Sequence, residues 1–542
     1  MKNKNIKTML IDGYLDEPSC LGVPPYISPH IRYTYGALLD SGIKEKNLSY
    51  LTIDRLRENW QDNLNKLEDF DLVIIIAGTT VPGHYLGGKP ISLTEIKELA
   101  SQIYYPQKVL GGPVTLIKDR IEGFDHICGE IASFDLYRQL TGKKIKPEEI
   151  SLYINNWARI GAKLTQKHPD YPYLVCELET FRGCPRSHHC AFCSERLKNI
   201  TYQRKPEAII KEVKALSQAG NHFYRLGCQT DLLLYQAHHS ENKFIPNPGA
   251  IKDLYQGIRE TDSELKVLHM DNMNPATIAR FEEKSREILK TITRYNTTGD
   301  IAAFGLESAD PVVLKKNNID TDPDLTFKAI NIINETGGHR QDGIPKLLPG
   351  LNFLHGLTGE REETMEYNYN FLKKVVEQGL MLRRINIRQV ATLGNYPEIN
   401  INQKQFKKYK EKINKNINLP LLKRVFPAGT VIKNVKTETH KGKLTYGRQL
   451  GSYPILIGIP GKLKLDQFIT VRIIDHGYRS LTGLPWPFYP QKASPEQLAA
   501  FPGIGRNRAG KIFIEQPENL SRLKKLMDPD FNFEKWKDWF HF

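Results

Sequence analysis

Apolar positions in the first 150 residues come in short unbroken runs rather than in alternation. They are Met9-Leu10-Ile11, Tyr50-Leu51-Thr52-Ile53, Leu72-Val73-Ile74-Ile75-Ile76-Ala77, Lys108-Val109-Leu110 and His126-Ile127-Cys128, with amphipathic stretches between them. Alternation would mark strands with one wet face, whereas unbroken β-branched runs mark strands covered on both faces. The pattern therefore predicts a parallel sheet in an α/β, doubly wound domain over residues 1–150. The runs end at Gly78, Gly111-Gly112 and Gly129-Glu130, where an open sheet of this kind offers a ligand crevice. The same rhythm resumes over residues 172–400, with strands expected near Leu174, Phe223, Val267, Ala302, Leu351 and Arg384.

From Arg424 to Leu484 the period changes to short β runs with Gly, Thr and Asn turns and basic exposed positions, which predicts a small antiparallel barrel over residues 420–487. A helical hairpin and tail follow over residues 493–542. Its turn is Pro502-Gly503-Ile504-Gly505 between two amphipathic stretches.

Composition adds two things. The chain of 542 residues is 40% hydrophobic and 25% charged, ordinary for a soluble multidomain protein. It has no run of eighteen apolar residues and no hydrophobic signal core near Met1, so a cytoplasmic protein without a membrane partner is expected. The formal charge of +15 is also located: residues 401–542 hold 26 Lys and Arg against 11 Asp and Glu, while the first 400 hold 50 of each. A basic appendage on a neutral body is the distribution expected of a polyanion-binding module, although a merely solvated basic surface would look the same.

Three of the seven cysteines crowd one loop, Cys184-Pro185-Arg186-Ser187-His188-His189-Cys190-Ala191-Phe192-Cys193. Three thiolates suit an iron–sulfur cluster with one iron left open to substrate or cofactor. The competing reading is a closed zinc site in which His188 or His189 supplies the fourth ligand. Cys20, Cys128, Cys176 and Cys228 read as small buried core residues, with a redox role left open.

With Phe192 before the last cysteine, this loop resembles the cluster motif of the radical S-adenosylmethionine (SAM) superfamily. The resemblance extends to Phe304-Gly305-Leu306-Glu307-Ser308, similar to the GxES segment that contacts SAM, and to Gly356-Leu357-Thr358-Gly359-Glu360, similar to a conserved turn further along. The chain departs from the usual CxxxCxxC spacing by having five residues between Cys184 and Cys190. The resemblance implies a central partial (β/α)6 radical SAM barrel, and a [4Fe–4S] cluster held by Cys184, Cys190 and Cys193. It implies SAM contacts from Phe192, Gly227, Asp271, Gly305, Glu307 and Ser308, reductive cleavage of SAM to a 5′-deoxyadenosyl radical, and an electron donor such as ferredoxin or flavodoxin. Asp271 and Asn272 read equally well as helix caps.

The first domain resembles the cobalamin-binding-like domain that precedes many such barrels. The DxHxxG motif is absent, which leaves cobalamin open. With only Cys20 and Cys128 in that domain, the second three-cysteine cluster of methylthiotransferases is also absent. Residues Val471 to Gly483 resemble the end of a TRAM domain, an RNA-binding barrel. Tyr446, Tyr453 and Tyr478 among Lys441, Lys443, Arg448 and Arg479 would then supply stacking and phosphate charge, or else merely pack the barrel. The turn at Gly503 and Gly505 resembles a helix-hairpin-helix motif, which holds phosphates on bare backbone N–H groups with Arg506, Arg508 and Lys511 nearby, or docks a protein. The whole order of parts resembles an archaeal-type radical SAM group. The function expected is modification of a nucleic acid, RNA and above all tRNA, by methylation or a related radical reaction. An enzyme acting on a protein or small molecule and a non-catalytic iron–sulfur sensor are the alternatives.

Overall fold

The computed structural model describes residues 5–17, 20–79, 86–117, 121–186, 188–198, 200–241, 243–391, 396–397, 399–529 and 531–542. The first six strands are β1 (Thr8–Asp12), β2 (Tyr26–Ile27), β3 (Leu48–Thr52), β4 (Leu72–Ile76), β5 (Gln107–Gly111) and β6 (His126–Ile127). Five of them form a parallel sheet in the order β3-β1-β4-β5-β6. Every residue of β4 is buried. Helices 29–40 and 132–141 cover one face through Ile31, Tyr35, Leu38 and Leu136. Helices 53–58, 60–67 and 93–102 cover the other through Ile53, Leu56, Leu64, Ile96 and Leu99. The unbroken apolar runs are explained by this double covering.

β2 leaves that sheet and joins the next. Strands β7 (Val175–Glu179), β8 (Phe223–Gly227) and β9 (Val267–Met270) lie parallel in the order β9-β8-β7-β2. β10 (Asp300–Glu307), β11 (Leu347–His355) and β12 (Arg384–Gln389) form a second parallel sheet. An Asn272–Ala303 bridge joins the two sheets, giving a six-stranded open barrel whose strands fall where the six runs were expected. Helices around it open on an Asx-Pro pair: Asn247, Asn274, Asp310 and Asp322 each accept a backbone N–H of the first turn, and proline follows. Local sequence alone sets these starts, because the cap satisfies a donor that the helix cannot and proline fixes φ where no N–H is needed. One continuous core runs from Leu10 in the first sheet through Leu226 and Phe353 to Leu421. The first domain and the barrel are thus packed as one body.

The C-terminal strands are β13 (Val431–Lys441), β14 (Leu444–Gln449), β15 (Leu456–Pro460), β16 (Phe468–His476) and β17 (Ser480–Pro485). They close into a barrel, β13-β14-β15-β17-β16. It is not wholly antiparallel as expected, because β15 and β17 pair parallel from Leu456–Ser480 to Gly458–Thr482. The chain reaches β17 through β16 on the far side, so β17 runs alongside β15 in the same sense. Helices 495–500, 505–515, 520–526 and 533–536 pack on Leu498, Phe501, Ile512 and Trp539 at the end of the chain. Among the described residues no helix is long and apolar enough to cross a membrane.

Candidate functional site

The segments singled out in the sequence meet at one end of the six-stranded barrel, where the C-terminal ends of its strands lie. The cysteine loop follows β7, Gly227 ends β8, Asp271 follows β9, Glu307 ends β10 and Gly356 follows β11. This is the face on which a parallel barrel gathers its chemistry, since loops there can vary without disturbing the strands.

Cys184, Cys190 and Cys193 are each partly exposed. Polar contacts from both halves of the loop hold it to the barrel. Arg186 donates to Asp231 at 3.1 Å, and Asp231 is fully buried. The backbone N–H of Ala191 donates to Asn317 O at 3.0 Å. Asn317 also donates its side-chain amide to Thr358 O at 2.8 Å and accepts from the Tyr396 hydroxyl at 2.6 Å, while Tyr396 accepts from the Thr358 N–H. Phe192 packs edge-on against Tyr396, beside Val313 and Leu357. Asn317 and Tyr396, which carry no motif signal in the sequence, are therefore the latch between the cysteine loop and the Gly356–Glu360 turn. The turn is closed by its own Glu360, whose carboxylate accepts from Gly356 and Leu357 N–H and meets His355 Nδ1. Burial pushes the Cys190 thiol up to about 11 and Cys193 to about 12. Iron bound to these sulfurs would reverse that shift, since coordinating thiols are deprotonated.

The donor set fits a cluster better than a single ion. A tetrahedral zinc with Zn–S near 2.3 Å needs sulfurs about 3.8 Å apart. Among the described residues, the trio of ligand atoms lying within 4.8 Å of one another is Cys20, Glu177 and Cys228, and not the loop cysteines. Among the described residues the three loop sulfurs do not all lie within that reach of one another, and His189 Nε2 lies 3.3 Å from Cys184 O, turned to the loop's own backbone.

Glu307 stands at the end of β10 with φ at 63°, a left-handed conformation that a non-glycine residue adopts at a cost. Its carboxylate is half-buried, has no hydrogen-bond partner among the described residues and lies near enough to Cys190 to raise that thiol further. Burial lifts Glu307 itself to about 8. A Cβ at Gly305 would run against this carboxylate, so the glycine makes room for it. Ser308 turns away: it is fully buried, its Oγ accepts from Asp310 N–H at 3.1 Å and lies 3.5 Å from Asn368. Its hydroxyl braces the turn into helix 311–316.

Asp271 is neither a helix cap nor a free ligand. It is fully buried, ion-paired with Arg225, and accepts from the Tyr453 hydroxyl at 2.7 Å. The cap role on this connection falls to Asn274. At Gly227 a Cβ would collide with the Glu177 carboxylate, which also pairs with Arg225. Asn272 donates to Gln229 O at 3.2 Å.

Tyr453 belongs to the small barrel, and this corrects its expected place among exposed stacking residues. The connection between β14 and β15 enters the large barrel. Tyr26 donates to Gly451 O at 2.6 Å, and Ser452 N–H donates to His269 Nδ1 at 2.8 Å. Arg225 donates to Ser452 Oγ and to Tyr453 Oη, both at 3.1 Å, and Arg384 lies 3.8 Å over the Tyr453 ring. Arg448 is likewise spent internally, on Glu438. Lys441, Lys443, Tyr478 and Arg479 are exposed, with Tyr446 half-buried.

In the terminal hairpin, Gly503 and Gly505 have φ of 88° and 66°. Arg508 closes the turn from inside, donating to Gly503 O and pairing with Asp528. Arg506 and Lys511 are exposed. Cys128 and Cys176 lie in the main core. Cys20 and Cys228 are buried as well, at 3% and 2% exposure, and meet each other and Glu177. Glu130 is absorbed by Arg182 at the foot of the cysteine loop, so the Gly129-Glu130 end of the first sheet serves the domain junction.

These features define an α/β protein in which an open parallel barrel, fused to a doubly wound domain, carries a three-cysteine loop at its mouth. No protein-family profile matches the chain. An uncharacterized protein of Archaeoglobus fulgidus is 40% identical over 523 residues, covering 94% of this chain and 96% of that one. An uncharacterized protein of Methanocaldococcus jannaschii is 42% identical over 511 residues, covering 88% and 93%. The chain belongs to the family of these two archaeal proteins. Among solved structures it is similar to the radical SAM methyltransferase TsrM from Kitasatospora setae, with a TM-score of 0.49 and 14% identity over 80% of this chain and 79% of that one. It is also similar to the cobalamin-dependent SAM radical enzyme OxsB, with a TM-score of 0.46 and 14% identity over 76% and 55%.

Proposed function

We propose that this protein is a radical SAM enzyme that modifies a nucleic acid, with RNA, and tRNA above all, as the substrate class. The observation that carries the reading is the three-cysteine loop at the mouth of the parallel barrel, latched to it through Asn317 and Tyr396. Cys184, Cys190 and Cys193 would hold a [4Fe–4S] cluster, and the cluster with SAM would supply reductive carbon–sulfur cleavage to a carbon radical. The chain's own residues prepare the place. Asn317, Tyr396 and Phe192 fix the height of the loop, and Arg186 anchors its first half through Asp231. Glu307 offers an otherwise unpartnered carboxyl to a hydroxyl- or amine-bearing ligand, with Gly305 keeping the space above it clear.

The nucleic-acid part rests on charge. The whole excess of +15 lies in residues 401–542, and Lys441, Lys443, Arg479, Arg506 and Lys511 are exposed there. A TRAM-like barrel and a helix-hairpin-helix turn would contact backbone phosphates and leave sequence to other readers. Cobalamin, bound in structures of TsrM and OxsB, would have to bind here without a DxHxxG histidine. Two strand-end glycines of the first sheet are already taken up by the protein's own backbone: Gly112, with φ at 97°, packs on Ala77, and Gly78 packs on Leu15. The reading draws on the cluster, SAM and an electron donor of the ferredoxin or flavodoxin class, with cobalamin the further cofactor that the first domain would hold.

The test is mass spectrometry of all modified nucleosides in tRNA and rRNA from cells with and without the gene. A nucleoside missing only without the gene supports the reading, and its mass gives the group added. An unchanged profile transfers the substrate to a protein or small molecule and the basic module to docking. On RNA binding, Arg506→Gln and Lys511→Gln are each expected to lower the slope of log affinity against log salt by about 1, as loss of one phosphate contact does.

A further inference from the structure

A second ligand cluster lies apart from the cysteine loop, and no part of the reading above uses it. Cys20 comes from the loop after β1, Glu177 from β7, and Cys228 directly follows β8. Their two sulfurs and a carboxylate oxygen all lie within 4.8 Å of one another, and all three residues are buried at 3% exposure or less. Each is held in place. Cys20 exchanges backbone hydrogen bonds with Glu17 in both directions. Glu177 is oriented by Arg225 and given room by Gly227. Cys228 is locked at φ 60°, a left-handed conformation that a non-glycine residue adopts at a cost and that only a surrounding structure with another demand preserves.

A second observation points to a ligand. Glu177 Oε2 is buried without a hydrogen bond of good geometry, the Leu21 N–H being the backbone donor near this carboxylate, while Oε1 is taken by Arg225. Buried carboxylate oxygens are almost always satisfied, so an orphan one beside two thiols calls for a missing partner. Arg225 cannot be that partner in full, because it also neutralises Asp271. Two sulfurs and one carboxylate oxygen are the donors of a soft-to-borderline divalent cation, with a fourth tetrahedral position left over.

We propose that Cys20, Cys228 and Glu177 form a second metal site that takes a thiophilic divalent ion of the zinc class and ties the first domain to the barrel. Binding displaces the two thiol protons to solvent, so the doubly deprotonated sulfurs and the carboxylate surround the ion in place of their mutual hydrogen bond. The site stands whether or not the protein cleaves SAM.

The experiment uses the full chain with Cys184, Cys190 and Cys193 all changed to alanine, which removes the iron-binding loop. Reduced, chelator-stripped protein is titrated with cobalt(II) alone and then with zinc. The expected result is one equivalent of cobalt with a thiolate charge-transfer absorption that zinc abolishes. Cys20→Ser or Cys228→Ser should remove the absorption, and Glu177→Gln should weaken binding while keeping it. In the otherwise unaltered chain, where folding is not in question, zinc should protect Cys20 and Cys228 from alkylation. Absence of a thiolate band, a band that survives Cys20→Ser together with Cys228→Ser, or alkylation of both cysteines unaffected by zinc would overturn the proposal.

Discussion

The two cysteine groups of this protein are built in opposite ways. Cys184, Cys190 and Cys193 are contiguous in sequence, partly exposed and carried on one loop at the barrel mouth. Cys20 and Cys228 are distant in sequence, buried, and meet only because the first domain packs on the barrel. A loop that must admit a substrate can be written in ten consecutive residues. A site that joins two domains has to be assembled by the fold.

The largest expected effect falls on the first group. Changing any one of Cys184, Cys190 or Cys193 to alanine should abolish cluster iron and, with it, 5′-deoxyadenosine formation, while iron content is unaltered by Cys20→Ser. Iron and product assays on the same preparations check both halves, and loss of cluster iron in Cys20→Ser would erase the distinction between the groups.

Next comes Arg225, the cation beside the second group. Arg225→Met would leave the fully buried Glu177 and Asp271 without their shared counterion, at a cost of roughly 3–5 kcal/mol. It would also release the 450–453 connection, seen as an early loss of the small barrel in proteolysis and a lowered thermal midpoint. For the same reason, cutting the chain at residue 400 is a poor test of nucleic-acid binding, because it uncovers this charge cluster. Point changes at Arg506 and Lys511 are the cleaner probe.

Asn317→Ala should cost about 1–3 kcal/mol by leaving buried partners unpaired. Its signature is faster cluster loss, without any change in metal at Cys20 and Cys228. The smallest effect concerns pH. The Glu307 carboxyl is raised from 4.5 to about 8 in the folded chain, so between those values the folded state holds a proton that the unfolded chain has lost. Its contribution therefore disfavours the folded state progressively as pH rises from about 4.5, levelling off above about 8. Glu307→Gln should match the parent near pH 4 and be the more thermally stable of the two at pH 9. Equal midpoints at both pH values would mean that this carboxyl is not desolvated.

Much of this was legible in the residues. The central strand of the first domain announces itself because a strand covered on both faces is apolar throughout, as in Leu72–Ile76, whereas barrel strands such as Arg384–Gln389 carry polar residues and show in sequence only through the alternation with helical stretches. The cysteine loop, Glu307 and the glycine turns are local, and local patterns survive in sequence. What escaped is non-local. Nothing around Tyr453 distinguishes a stacking residue from one inserted beside Arg225, because its partners Arg225, Asp271 and Arg384 lie elsewhere in the chain. Cys20 and Cys228 looked like ordinary small core residues for the same reason. The parallel pairing of β15 with β17 depends on how the barrel closes, which strand patterns do not record.

Radical SAM chemistry at the three-cysteine loop is tested by reconstituting the protein with iron and sulfide under anaerobic conditions, reducing it with dithionite in the presence of SAM, and quantifying 5′-deoxyadenosine. The expected result is 5′-deoxyadenosine and methionine in amounts that depend on Cys184, Cys190 and Cys193, together with a change in the cluster's electron spin resonance on adding SAM. No 5′-deoxyadenosine and an unchanged spectrum from a fully loaded cluster would contradict it and leave an iron–sulfur protein that binds without catalysing.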